Sequence, residues 1–208
     1  MTATTQKPQQ STLVFEHIQG FCQTVNQMGW DVDFSPLGDG EASTATVFAS
    51  EHSTVIQGRF GNALVQRGCT PNNTINFGIT PGLLDPIPWN NYSIDHNQLL
   101  PFGQGDEFES ISQQDFQCIV LSFDAIYFQT LADKLGIHSL QSHTNNGAPL
   151  TLKDTSHRGL LGIVDKIQSQ GPALLLDEDL ATTLLSGLDN SEQNHRRNSI
   201  PSRDKLRK

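Results

Sequence analysis

The stretch STVIQGRFGNALVQRGCTPNNTINFGI, residues 53–79, decides the fold class of this chain. With its flanking residues it divides into three β-type runs, 53–60, 62–69 and 73–80, which are separated by Gly61 and by the turn sequence at 71–73. Two further runs, 30–37 and 43–49, precede it. Short strands at such regular spacing are typical of a β sandwich or barrel.

The β pattern continues beyond this stretch until about residue 123. The prolines between 81 and 88 exclude a central strand there and predict a loop that leads to Trp89. Strand-like segments follow at 92–100, 106–112 and 116–123. Before the strands, apolar residues at helical spacing between 13 and 28 predict a short helix that ends near Gly29.

The remainder of the chain has the pattern of helices. Asp124 is the expected N-cap of the first helix and Gly136 its end, and 138–149 is a polar loop. A second helix begins after Thr155 or Ser156 and stops at Gly171. A third has acidic residues at 177–179, where the helix dipole favours them.

Both of the last two helices carry an apolar stripe that needs a partner surface. The barrel itself could cover a stripe, and so could the same helices of a second chain. We expect a homodimer contact on at least one of them. The predicted dimerisation residues are Leu161, Val164, Leu180, Leu184 and Leu188.

Charge is distributed unevenly along the 208 residues. The net charge is −9, yet six of the 13 basic residues lie in the last 13 positions, 196–208. An acidic body repels phosphate groups, so residues 1–195 are a poor candidate for nucleic-acid binding by themselves. The polar end, 191–208, is predicted to be a basic linker.

Composition also indicates the cellular location of the protein. No apolar run is long enough for a membrane span, and the polar leader, 1–12, lacks the apolar stretch of a secretory signal. We therefore expect no membrane partner and a cytoplasmic location. Cys22, Cys69 and Cys118 are odd in number and scattered, which fits reduced thiols in or near the core.

The sequence shows no assembled catalytic or metal-binding motif. The seven histidines lack the paired spacing of a metal-binding barrel, and no Walker-type loop, GxSxG elbow or HExxH helix is present. We expect no catalytic residues, no metal and no cofactor, so the chain is not predicted to be an enzyme.

Several stretches resemble the sensor domains of AraC/XylS-type transcription regulators. They are FSPLGDG (34–40), GNALVQRGCTP (61–71) and NFGI (76–79), then LATTLLSGL (180–188) and SRDKLRK (202–208). The chain departs from the pattern at Asn90 and Asn91, where relatives often carry a glycine.

The resemblance implies an α+β, mainly β fold, in which a cupin-like (jelly-roll) barrel is followed by two or three C-terminal helices. It divides the chain into a flexible leader (1–12), a short helix plus barrel (13–123), a helical dimerisation region (124–190) and a basic linker (191–208). The implied function is effector sensing and dimerisation in a DNA-binding regulator. DNA would be contacted only through a C-terminal helix-turn-helix domain, which this sequence does not contain.

Alternation and aromatic content suggest which residues would line a pocket for an unknown small-molecule effector. Gln57 and Arg59 lie on one face of the strand 53–60. Either both face solvent, or Arg59 projects into the barrel and binds an anionic or polar ligand. The predicted ligand-binding residues are Phe34, Gln57, Arg59, Phe77, Trp89 and Asp95. Two alternatives remain open, a stand-alone cupin-like enzyme (isomerase or oxygenase) and a ligand-free interaction module.

Overall fold

The computed structural model describes residues 8–137, 147–171, 177–189 and 192–193. The strands are β1 (Gln9–Phe15), β2 (Asp31–Pro36), β3 (Ser43–Ala49), β4 (Ser53–Phe60), β5 (Leu64–Cys69), β6 (Thr74–Ile79), β7 (Ile87–Trp89), β8 (Tyr92–Ile94), β9 (Gln98–Phe102), β10 (Glu107–Ser112), β11 (Phe116–Asp124), β12 (Leu150–Thr151) and β13 (Glu192–Gln193). The helices are α1 (Ile18–Gln27), α2 (Ala125–Lys134), α3 (Asp154–Gln170) and α4 (Asp177–Asp189).

The strands form two antiparallel sheets. An eight-stranded sheet has the order β1-β3-β4-β11-β6-β9-β12-β13, and a five-stranded sheet has the order β2-β5-β10-β7-β8. The two sheets form a sandwich and do not close into a barrel. The predicted mainly β, α+β, cupin-like class is confirmed.

The central strands of the eight-stranded sheet, β6 and β11 among them, are buried on both faces. One face packs against the helices: Val55, Phe77 and Leu121 belong to one apolar cluster with Leu160 of α3 and Leu184 of α4. The other face meets the five-stranded sheet. A sheet covered on both faces needs apolar side chains at successive positions of its strands. The alternation of apolar and polar residues is therefore weaker in β6 and β11.

Helix α1 belongs to the second apolar cluster, between the sheets. Its buried residues Ile18, Phe21, Cys22 and Val25 are spaced at one helical face and pack with residues of β2 and β4. The helix therefore contributes to the interior of the sandwich from one side.

Most predicted elements are found within a few residues of their expected limits. The five runs between 30 and 80 match β2 to β6, and the strand-like segment 92–100 is split into β8 and β9. Pro88 lies within β7, which pairs with both β10 and β8, so the expectation that the prolines of 81–88 exclude a central strand is wrong at this position. Asp124 caps α2 as predicted, because its carboxylate accepts a hydrogen bond from the Tyr127 backbone N–H at 2.8 Å. Gly136 follows with a φ of 73°. Of the predicted polar loop, residues 138–146 lie outside the described residues.

The beginning of the chain differs from the prediction. Residues 9–15 form β1, which pairs with β3 along its whole length, so the predicted leader 1–12 is partly a strand. The helix starts at Ile18 instead of residue 13. Leu13 and Phe15 have spacing that suits either element, and pairing with the edge of β3 decided between them. Residues 1–7, and most of the predicted linker 191–208, lie outside the described residues.

Helix α3 also begins earlier than the sequence predicts. The helix begins at Asp154, with Lys153 in the N-cap position, and Thr155 and Ser156 lie inside its first turn. Its end at Gly171, where φ is 92°, is as expected.

The apolar stripes of α3 and α4 are covered within the chain. Val164, Leu180, Leu184 and Leu188 are at most 1% exposed. They pack in the cluster between the helices and the eight-stranded sheet, whereas Leu161 is half-buried. Four of the five predicted dimerisation residues are therefore core residues, because the sheet supplies the partner surface. No described helix is long and apolar enough to span a membrane.

Candidate functional site

A cavity of about 80 Å³ lies between the two sheets of the sandwich. Its walls are two rows of side chains that run across neighbouring strands. Residues opposite one another in an antiparallel register point to the same face of a sheet. Strand pairing therefore determines which residues enter the cavity.

On the five-stranded sheet, one row of side chains consists of Phe34, Gln66, Ser110 and Trp89, and all of them except Ser110 line the cavity. Phe34 of β2 and Ser110 of β10 are both opposite Gln66 of β5. Ser110 is also opposite Trp89 of β7, and its hydroxyl donates a hydrogen bond to the Pro88 carbonyl at 3.0 Å. Gln66 therefore lies in the middle of this wall.

The wall from the eight-stranded sheet contains the row Ile56, Val120, Gly78 and Leu100. Val120 of β11 is opposite both Ile56 of β4 and Gly78 of β6, and Gly78 is opposite Leu100 of β9. A Cβ atom at Gly78 would lie 3.4 Å from both the Leu100 Cβ and the Phe102 Cε2. A larger residue at this position would reduce the space between the sheets.

Aromatic rings dominate the lining. Trp89 stacks on Phe108 with centroids 5.5 Å apart, and Phe102 meets Trp89 edge-on at 5.1 Å. Phe60 contacts Phe21 edge-on at 4.9 Å. The lining includes eight aromatic side chains, Phe21, Trp30, Phe34, Phe60, Trp89, Phe102, Phe108 and Phe116.

Two buried polar atoms in this lining have no hydrogen-bond partner among the described residues. They are the Gln66 Nε2 and the Thr80 Oγ1. Gln66 is 5% exposed and Thr80 is 2% exposed. Buried polar groups in folded proteins are nearly always paired, with protein or with ordered water, so these two atoms are candidates for contact with a bound molecule.

The lining carries no charged residue in the described part of the chain. The Cys118 thiol is its one ionisable group, and burial raises the pKa of this thiol to about 12. The thiol is therefore neutral at physiological pH and a poor nucleophile. The described ranges also contain no group of three or more His, Cys, Asp or Glu side chains that could hold a metal ion.

Two of the six predicted ligand-binding residues line the cavity. Phe34 and Trp89 lie in the row of the five-stranded sheet, and both are buried. Their role in ligand binding stays a prediction.

Two further candidates lie on the opposite face of the eight-stranded sheet. Phe77 is fully buried against Phe128 of α2, with ring centroids 5.6 Å apart. Gln57 accepts a hydrogen bond from the Gln168 side chain of α3. Both side chains point away from the cavity, because the faces of β4 and β6 that carry Val55 and Phe77 pack against the helices.

The last two candidates are exposed. The Arg59 guanidinium donates to the Asp115 carboxylate at 2.8 Å, and half of its side chain is accessible to solvent. Asp95 lies in the turn between β8 and β9. There its carboxylate bonds the His96 backbone N–H at 2.7 Å and the His96 ring, contacts that lower the Asp95 pKa. Neither residue lines the cavity between the sheets.

Gln66 is the polar cavity residue that sequence reasoning missed. Gln66 lies on the same face of β5 as Leu64, which is fully buried. Arg67 lies on the opposite, outer face and pairs with Glu109. The signal in the sequence was a glutamine on the same strand face as a buried apolar residue.

The departure at Asn90 has a structural explanation. Asn90 follows Trp89 with a φ of 48°, in the left-handed region that favours glycine but that asparagine also tolerates. Its side-chain oxygen accepts the Glu109 N–H at 2.7 Å. The turn after Trp89 is thus held against β10 without a glycine.

One polar junction ties the helices to the sheet. Asp177, the first residue of α4, accepts hydrogen bonds from the hydroxyls of Ser50 and Ser53 and from the His52 backbone N–H. The His52 ring stacks on Tyr127 of α2, with centroids 4.3 Å apart. The turn between β3 and β4 therefore contacts both α2 and α4.

Comparison with known proteins shows a structural likeness without sequence similarity. No protein-family model matches the chain, and no curated protein matches it in sequence. The fold is similar to that of the AraC-like transcriptional activator CuxR, with a TM-score of 0.58 and 10% sequence identity. The likeness covers 90% of this chain and 73% of CuxR.

Proposed function

We propose that this chain is the effector-sensing and dimerisation domain of an AraC-type, DNA-binding transcription regulator. The observation that carries the proposal is the cavity between the sheets, with its unpartnered Gln66 and Thr80 atoms, on a fold similar to that of an AraC-like activator. A concave, mainly apolar site with a few polar groups is the usual form of a small-molecule site.

The layer order provides a route from the cavity to the helices. Along β11, Val120 faces the cavity and Leu121 faces the helix cluster; the same holds for Gly78 and Phe77 along β6. Because protein interiors are close-packed, a ligand that displaces one face of this sheet also acts on the packing of the other face. Effector binding would thus shift α2 and α4 between two arrangements.

The absence of charge around the cavity is consistent with sensing and offers no catalytic group. The Cys118 thiol is the ionisable side chain among the described lining residues, and its pKa of about 12 keeps it protonated. We assign no catalytic step to this site. An enzymatic alternative has no observation in its favour.

DNA contact is assigned to a separate helix-turn-helix domain in the same cytoplasmic protein. The acidic body disfavours phosphate binding, since the net charge is −9 even with the basic residues of 196–208 included.

Dimerisation is assigned to the outward side of the C-terminal helices. Leu161 of α3 is half-buried, and a Cβ atom at the adjacent Gly162 would meet no atom within 4 Å. Leu161 packs against the apolar cluster with part of its side chain and leaves the rest accessible, and Gly162 adds open surface beside it.

The proposal is tested by filling the cavity in the protein as the cell makes it. Val120→Phe, introduced into the chromosomal gene, puts a ring into the space between the sheets. If the cavity senses an effector, the variant should alter the same transcripts as deletion of the gene, because the effector can no longer enter.

Val65→Phe is the matched control. Val65 is half-buried on β5 and is absent from the cavity lining, since it has the opposite parity to Gln66. The Val65→Phe variant should leave the transcripts unchanged. A deletion strain with an unchanged transcript profile would show that the chain is not part of a regulator.

A further inference from the structure

We infer that the cavity takes an uncharged, mainly apolar compound no larger than one ring, which presents a hydrogen-bond acceptor to the Gln66 side-chain amide. This inference rests on the proposed effector site and names the chemical class of its ligand. It replaces the polar or anionic ligand that Arg59 suggested.

The charge of the ligand follows from the lining. The cavity wall offers no cation or anion from the described residues, and the Cys118 thiol is neutral. A charged ligand would lose its hydration without gaining an opposite charge, which is a large cost in an apolar site. The rings of Phe60, Trp89 and Phe102 instead favour a flat, apolar partner.

The position of the acceptor follows from Gln66. Its Nε2 is a hydrogen-bond donor without a partner, in the middle of the wall between Phe34 and Ser110. The neighbouring Ser110 hydroxyl already donates to Pro88, so it does not need the ligand. Thr80 supplies a second polar contact that can donate or accept.

The size limit follows from the volume. An engineered apolar cavity of about 150 Å³ binds benzene, and the present cavity measures about 80 Å³. One ring therefore fits only if a wall residue moves outward. Trp30 is the residue assigned to this movement, because it is the one aromatic residue of the described lining that is only half-buried; it would give up its edge-on contacts with Phe102 and Phe108.

Benzene and pyridine form a matched pair of probes for this site. They have the same shape, and pyridine adds one ring nitrogen that accepts a hydrogen bond and is uncharged at mildly alkaline pH. Binding is measured by calorimetry and by tryptophan fluorescence, since both tryptophans of the chain, Trp30 and Trp89, line the cavity.

The test compares each probe in the unchanged protein, in Gln66→Leu and in Arg67→Leu. Gln66→Leu should weaken pyridine binding about fivefold, the usual value of one hydrogen bond, while benzene binding stays equal or improves. Arg67→Leu, the neighbour on the outer face, should change neither. Pyridinium, as its N-methyl salt, should not bind.

A second readout concerns the protein without ligand. Gln66→Leu removes a buried amide that lacks a partner, so the urea midpoint should rise. If a bound water satisfies Gln66 instead, the midpoint falls or stays, pyridine affinity is unchanged, and the inference is wrong.

Failure of this inference is distinguishable from failure of the proposed function. If neither ring binds, or if both bind equally well to Gln66→Leu and to the unchanged protein, the ligand class is wrong. The transcript response to Val120→Phe would still stand, because it does not depend on which compound fills the cavity.

Discussion

His157 shows how burial alone sets the charge of a side chain in this fold. The ring is partly buried on α3, and its Nε2 has no hydrogen-bond partner among the described residues. Burial lowers the His157 pKa below its ordinary value of 6.5; the charge of His96 adds to this shift, and that of Asp154 opposes it. The folded protein therefore holds this histidine neutral at pH values where the unfolded chain begins to protonate it.

The expected consequence is a loss of stability on acidification. As the pH falls through 6.5 toward the lower folded-state pKa, the unfolded chain binds more protons than the native one, so the free energy of unfolding decreases. Urea unfolding of the protein and of His157→Gln across this range measures the effect, and the variant should lose less. His17→Gln, an exposed histidine before α1, is the control. Equal pH dependence in all three proteins would contradict the assignment.

Among the elements, α4 depends on one carboxylate for its attachment to the sheet. Asp177 accepts hydrogen bonds from Ser50, Ser53 and the His52 N–H. Hydrogen bonds to a charged group contribute about 1.5–3 kcal/mol each, and the loss of one end of this network leaves buried hydroxyls less well paired. Asp177→Ala should therefore lower the free energy of unfolding by about 1–3 kcal/mol.

Glu178→Ala provides the comparison that isolates this attachment. Glu178 occupies the same first turn but is exposed, so its removal costs only the interaction with the helix dipole, about 0.3–1 kcal/mol. The difference between the two variants, measured by urea unfolding, reports the junction with the turn between β3 and β4. Equal losses would mean that the dipole alone accounts for the acidic start of α4.

At the scale of the whole molecule, Leu180, Leu184 and Leu188 are buried within the chain, so a test of dimerisation must change a residue outside this stripe. Leu161→Asp should give a folded monomer, because Leu161 is only half-buried and its accessible part lies where we place the contact. Leu184→Asp should unfold the domain instead, since Leu184 is fully buried. Sedimentation velocity over a range of concentrations, combined with circular dichroism, separates these outcomes.

Ile126→Asp is the control for the dimer experiment. Ile126 is an apolar residue of α2 that is 80% exposed, and its change should leave the dimer intact. An unchanged protein that sediments as a monomer at every concentration, or a dimer that only the Ile126 variant disrupts, would remove α3 from the interface.

The sequence alone determined the order and type of most elements. Alternation and turn residues between 30 and 80 define five strands; Asp124 and Gly136 bound α2, and acidic residues mark the start of α4. These signals are local: a turn residue, a cap or a two-residue period acts within a few positions of the chain. The predicted class therefore agrees with the structure, whose fold is similar to that of one AraC-like activator.

Only the tertiary structure decided which layer each face of the eight-stranded sheet contacts. Periodicity separates Phe77 from Gly78 and Gln57 from Ile56, but it does not say which side faces the second sheet and which faces the helices. Because the central strands of the eight-stranded sheet are buried on both faces, the more apolar parity could serve either layer. For the same reason, Leu180, Leu184 and Leu188 could be covered by the sheet of their own chain or by a second chain. Both outcomes bury the same apolar surface, and the physical choice between them lies in contacts between residues far apart in sequence.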